Sequence, residues 1–102
     1  MTDQTADMRQ TVETISKRAF DLAKARWHAG AALAENDQAS ARELQSQLRQ
    51  LADQLRHDQP KLYRSISDTI SEGLLDLKYA LNAPPATSLR LHHYIESQTK
   101  AS

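Results

Sequence analysis

Residues 41–55 read ARELQSQLRQLADQL, and this stretch decides the fold. Ala41, Leu44, Leu48, Leu51 and Leu55 recur at alternating steps of three and four. That spacing keeps one apolar seam on one side of a helix, facing a partner helix. The positions between the rungs are Arg42, Gln45, Gln47, Arg49, Gln50, Asp53 and Gln54, which form helix readily or suit a wet surface. The ladder describes a surface for packing, and it predicts an all-α protein.

The same reading extends in both directions. With Ala19 at the centre of a helical wheel, Met8, Val12, Ile15, Leu22, Ala23, Gly30, Leu33 and Ala34 fall within about 60° of it. A first helix is therefore expected from about Thr5 to Glu35, with Phe20 and Trp27 forming a ridge at the edge of its apolar face. Asn36-Asp37 interrupts the pattern. Asp37 is expected to cap a second helix over about Gln38–His57, and Ser40 with Glu43 matches a capping box. Pro60 suits a first turn and opens a third helix running to about Leu81. Its predicted inner face is Tyr63, Ile66, Ile70, Leu74, Leu77 and Leu81, with Gly73 beside it. Asn82, Pro84 and Pro85 end it.

The tail reads two ways. Thr87-Ser88 can cap a short helix that packs Leu91 and Ile95. Leu89, Leu91, His93 and Ile95 also alternate with polar neighbours at a strand's period. The helix is the favoured reading. The expected fold is thus three long helices plus a short C-terminal helix or strand, in an antiparallel bundle completed by dimerisation. One helical domain spans 1–102, with loose ends at about 1–5 and 97–102.

Composition sets limits on function. Of 102 residues, 39% are hydrophobic, but fifteen of those are alanine, so the core is thin. A chain this size buries only about 60–65% of its unfolded surface. Self-association through Leu44, Leu48, Leu51 and Leu55, together with Phe20 and Trp27, is the expected remedy. Lys plus Arg equals Asp plus Glu at 13 each, which argues against a general nucleic-acid binder. The absence of cysteine removes disulfides, thiolate metal sites and a cysteine nucleophile. No basic and apolar leader opens the chain, and no apolar run is long enough to span a bilayer, so the expected location is the cytoplasm.

Few residues suggest chemistry. Arg26 lies about 20° from the centre of the first helix's apolar face. It is expected either to meet an anion or a partner carboxylate, with Gly30 admitting a second backbone, or to carry its head to water. His28, His57, His92 and His93 lack the i, i+4 spacing of a helical metal site, so neither metal nor cofactor is expected. Asp68, Glu72 and Asp76 form an acidic row, read as solvated surface. Arg42, Arg49 and Arg56 form a basic row, read the same way. No phosphate loop or nucleophile elbow is present.

Leu75 and Tyr79 fall about 140° and 180° from Ile70, beside Asp68 and Glu72. Two large apolar groups four apart, flanked by acid, resemble the anchors of a helix laid into a partner's groove. Leu75, Tyr79, Asp68 and Glu72 are therefore the expected partner-binding strip.

In general character the chain is similar to small helical bacterial proteins that sequester another protein. Antiactivators of transcription regulators, immunity proteins and secretion chaperones are examples. That likeness implies a non-catalytic regulator or inhibitor and transfers no residue. The alternatives are a DNA-associated accessory protein using Arg42, Arg49 and Arg56, and a small helical-bundle enzyme using Arg26 for an anionic ligand.

Overall fold

The ladder is buried inside its own chain. In the computed structural model, which describes residues 4–82 and 87–100, Leu48 and Leu55 are fully buried and Leu44 is 3% exposed. The described residues form four helices: α1 (Gln4–Ala29), α2 (Glu35–Asp58), α3 (Pro60–Asn82) and α4 (Leu89–Lys100). The ladder lies along α2 and packs into one apolar core with Val12, Ile15 and Ala19 of α1 and Leu62, Ile66, Ile70 and Leu77 of α3. Leu51 is the one rung left partly exposed. The expectation that Leu44, Leu48 and Leu55 need a second chain is corrected, because α1 and α3 already cover them.

α3 is the central helix, with α1 and α2 both packed on it. Its buried face is Leu62, Ile66, Ile70, Gly73, Asp76, Leu77 and Ala80. That face is rotated from the predicted one, so Tyr63, Leu74 and Leu81 sit at its edge, half-buried. The cause is a seam of small residues. Val12, Ser16, Ala19 and Ala23 of α1 are all at most 1% exposed and step by four, three and four. In this seam Ser16 lies directly against Gly73 of α3. A Cβ on Gly73 would come within 2.9 Å of Leu48 Cδ2 and 3.3 Å of Ser16 Oγ, so glycine is what lets the helices close. Hydrogen bonds Arg9–Ser65, Ser16–Thr69 and Arg26–Ala80 ascend α1 and α3 together.

Two predicted boundaries move. α1 stops at Ala29 instead of running to Glu35, because Gly30 takes φ +65° and its N–H bonds the Arg26 and Trp27 carbonyls at 3.2 and 3.3 Å. Only glycine adopts that left-handed turn at little cost. A Cβ there would touch nothing within 4 Å, so Gly30 ends a helix and admits no neighbouring backbone. α2 in turn begins at Glu35. Ala34 takes the cap position without a side-chain bond, which places Asp37, Ser40 and Glu43 within the helix and not in a capping box. The Gln38 side chain instead donates back to the Leu33 carbonyl at 2.7 Å.

The tail is a helix. Ser88 is its cap: the hydroxyl accepts the Leu91 N–H at 3.1 Å, and Leu91 is fully buried. Ile95 is half-buried. α3 ends at Asn82 as expected; Pro84 and Pro85 lie outside the described residues, as do residues 1–3 and 101–102 of the expected loose ends. Residues 97–100 belong to α4. No helix among the described residues is long and apolar enough to cross a membrane.

Since Leu48 is enclosed by its own chain, Leu48→Ala is expected to cost about 2–5 kcal/mol in urea unfolding. Its mass by light scattering should match that of the parent. A loss below about 1 kcal/mol would show that the ladder is not core.

Candidate functional site

A buried carboxylate sits in the seam between α1 and α3. Asp76 is 0% exposed, although its neighbours in the acidic row, Asp68 and Glu72, are exposed and half-buried. Reading Asp76 as solvated surface is therefore overturned. Buried charge needs pairing and hydrogen bonds, and both arrive from the tail. Arg90 of α4 places Nε 2.8 Å and Nη2 2.7 Å from Asp76 Oδ2. The Ser88 hydroxyl donates to Asp76 Oδ1. Arg90 Nη2 also donates to the Ser16 carbonyl at 2.7 Å and reaches the Ser16 hydroxyl at 2.8 Å, and that hydroxyl donates to the Thr69 carbonyl at 3.3 Å. The Phe20 ring lies 5.0 Å from the guanidinium carbon, and Glu72 adds a longer ion pair at 3.8 Å. One arginine therefore fastens α4 to both α1 and α3.

The electrostatics follow from that geometry. Burial pushes the Asp76 carboxyl above the usual carboxylate range. The Ser88 hydrogen bond and the charge of Arg90 pull it back without cancelling the rise, and Glu72 adds to it. The clasp therefore offsets part, and not all, of the cost of burying the Asp76 carboxyl.

Further along α4, Tyr94 fills a cluster of rings from α1. Phe20 and Trp27 meet it edge-on at 6.0 and 6.2 Å, and His28 shares a hydrogen bond with its hydroxyl. Lys24 Nζ lies 4.8 Å from the Phe20 ring and 5.5 Å from the Tyr94 ring. The ridge expected to meet a second chain meets α4 instead.

Arg26 follows neither expectation. Half-buried, it donates to the Ala80 carbonyl at 3.1 Å in the last turn of α3, with its guanidinium carbon 5.9 Å from the Tyr79 ring. A cation suits that position, where carbonyls lack intrahelical partners. The expected strip is divided: Leu75 and Tyr79 are half-buried, Asp68 is exposed, and Glu72 turns toward Arg90. In the basic row all three arginines are exposed, yet Arg42 contacts Gln38 at 3.4 Å, and Arg56 reaches the Tyr63 hydroxyl at 3.2 Å and Asp53 at 3.7 Å. Among the described residues no three His, Asp or Glu side chains converge as a metal site. A groove of about 390 Å³ between α1 and α2 is lined by Thr11, Ile15, Gln47, Gln50, Leu51 and Gln54. A second, of about 530 Å³, lies beside Arg9 and the Gln59–Leu62 turn.

The clasp had a signal in the sequence. Leu62, Ile66, Gly73, Asp76 and Ala80 share a three-and-four register, so Asp76 stands in a packing seam, and Ser16 stands in the matching seam of α1. No family model, curated protein or solved structure matches the chain.

The folded pKa of Asp76 lies above its unfolded value near about 4. Its stabilising contribution is therefore complete in acid, below the unfolded value, and is lost as pH rises through the folded one. Wild type should thus lose stability relative to Asp76→Asn as pH climbs from about 4; parallel pH profiles in urea unfolding would contradict this. Arg26→Ala removes one hydrogen bond to the carbonyl of Ala80, a fully buried residue, so the expected cost is about 1–3 kcal/mol in a thermal melt. A cost of about 3–5 kcal/mol would reveal a stranded carboxylate partner.

Proposed function

We propose that this chain is a non-catalytic helical interaction module, a small regulator or inhibitor that sequesters another protein in the cytoplasm. The observation that carries this reading is on α3. Leu75 and Tyr79, one turn apart and off the core face, remain half-exposed after three helices and the tail have packed. Asp68 is exposed on the same side. Interface energy concentrates in a few apolar and aromatic anchors, and tyrosine is among the preferred types. Acid at the rim steers association and selects partners, which fits a partner with an apolar groove edged by basic residues.

In this reading α2 runs antiparallel to α1 and α3, so α3 serves as both core and recognition helix. A homodimer belongs to the reading as well. With the ladder enclosed, it forms through the tail and its cleft.

The test uses wild-type and doubly substituted Leu75→Ala, Tyr79→Ala chains as baits in host lysate, followed by binding of the captured protein in purified form. The double variant should keep its helicity and mass but bind at least tenfold more weakly. Unfolding of the double variant, or undiminished binding, would remove the strip from the reading.

A further inference from the structure

We propose that α4 is a releasable arm, and that the cleft it fills between α1 and α3 also accepts the same arm from a second copy of this chain. Three observations carry the proposal. First, the attachment is confined to a few residues: the Ser88–Arg90 clasp, Leu91, which is the only fully enclosed α4 residue, and Tyr94 against the Phe20 and Trp27 rings, while Leu89 is 63% exposed. An arm held at so few points owes part of its occupancy to being tethered, since the tether supplies a high local concentration. The site itself is indifferent to which chain the arm comes from.

Second, the cleft is demanding. It needs a guanidinium that spans Asp76 and the Ser16 carbonyl at once, a hydroxyl two residues earlier to reach Asp76 Oδ1, and a leucine directly after the arginine. Arg90 brings both Nε and Nη2 to Asp76 Oδ2 while Nη2 also reaches the Ser16 carbonyl, and a lysine's single ammonium would forgo the Nε contact. Ser88, Arg90 and Leu91 supply the set, so a second copy carries the fitted occupant by construction. Third, the cleft wall is built entirely from residues outside the arm. Ser16, Ala19, Gly73 and Leu77 are held by α1–α3 packing and by the ladder. Exchange of an identical element between protomers is a low-cost route to a dimer, because every contact of the closed form is kept. Phe20 and Trp27 would then meet a second chain through its Tyr94.

The experiment mixes two full-length variants. Arg90→Ala keeps an acidic cleft but spoils the arm; Asp76→Asn keeps the arm but spoils the cleft. Alone, each should retain the helicity of α1–α3 and scatter light as a single chain. Mixed in equal amounts, they should form a two-chain species at concentrations at least tenfold below any self-association of either. Protection of α4 amides should return only in the Asp76→Asn chain, whose arm is intact. The proposal is overturned if the mixture shows only the average of its components. Collapse of the bundle in Arg90→Ala would also overturn it, since α4 would then be part of the core and not an arm. Equal dimerisation when the second chain carries Arg90→Ala as well would place the contact elsewhere. A fluorescent peptide of residues 87–100 should bind the Arg90→Ala chain and lose at least tenfold when its own arginine is replaced by lysine; equal binding of the lysine peptide would show that the cleft reads charge and not this arm.

Discussion

The close contact between α1 and α3 is the constraint from which the rest of this structure follows. The helices approach where Ser16 of α1 meets Gly73 of α3, and Ala19, Ala23 and Ala80 are buried along the same two helices. Close approach of α1 and α3 brings α2 into place across both, and the leucine ladder fills the remaining space. It also decides the fate of Asp76. A carboxylate in a small-residue seam has no route to water, and only a partner with several donors can satisfy it. Arg90 is that partner. The position of the tail is in this sense a consequence of how α1 meets α3.

Most of the fold was legible in the sequence because it rests on period and punctuation. The ladder, the start of α3 at Pro60 and the cap of the tail at Ser88 are local signals, and each sits where expected. The misplaced boundaries were local as well, but there competing signals existed. Gly30 lay in register with the apolar face of α1 and read as part of it, whereas its positive φ ends the helix. Ser40 and Glu43 matched a capping box, yet α2 starts five residues before Ser40, on backbone and Gln38 bonds alone.

The site was less legible for a physical reason. Whether Asp76 is solvated or enclosed depends on how far α3 is rotated toward α1, and a wheel centred on the largest residues puts that rotation in the wrong place. Small residues set the closest approach, and they carry little weight in a hydrophobic pattern. Arg26 shows the same limit from the other side: its register placed it on the apolar face, but the acceptor it found is a backbone carbonyl, which no side-chain pattern reveals. The ladder raised an expectation of a partner chain because its covering helices could not be counted until α3 was seen to be central.

Native-state hydrogen exchange of the wild-type chain tests the account most directly. If α4 is held on the α1–α3 cleft only by the Arg90 clasp, Leu91 and the Tyr94 ring contacts, its amides from His92 onward should exchange through a local opening, with a smaller free energy than global unfolding. Amides around Leu48, Ile66 and Ile70 should exchange together through the global event. Equal opening free energies in α4 and in the middle of α2 and α3 would contradict this, making the tail an integral part of the core that the α1–α3 contact alone does not sustain.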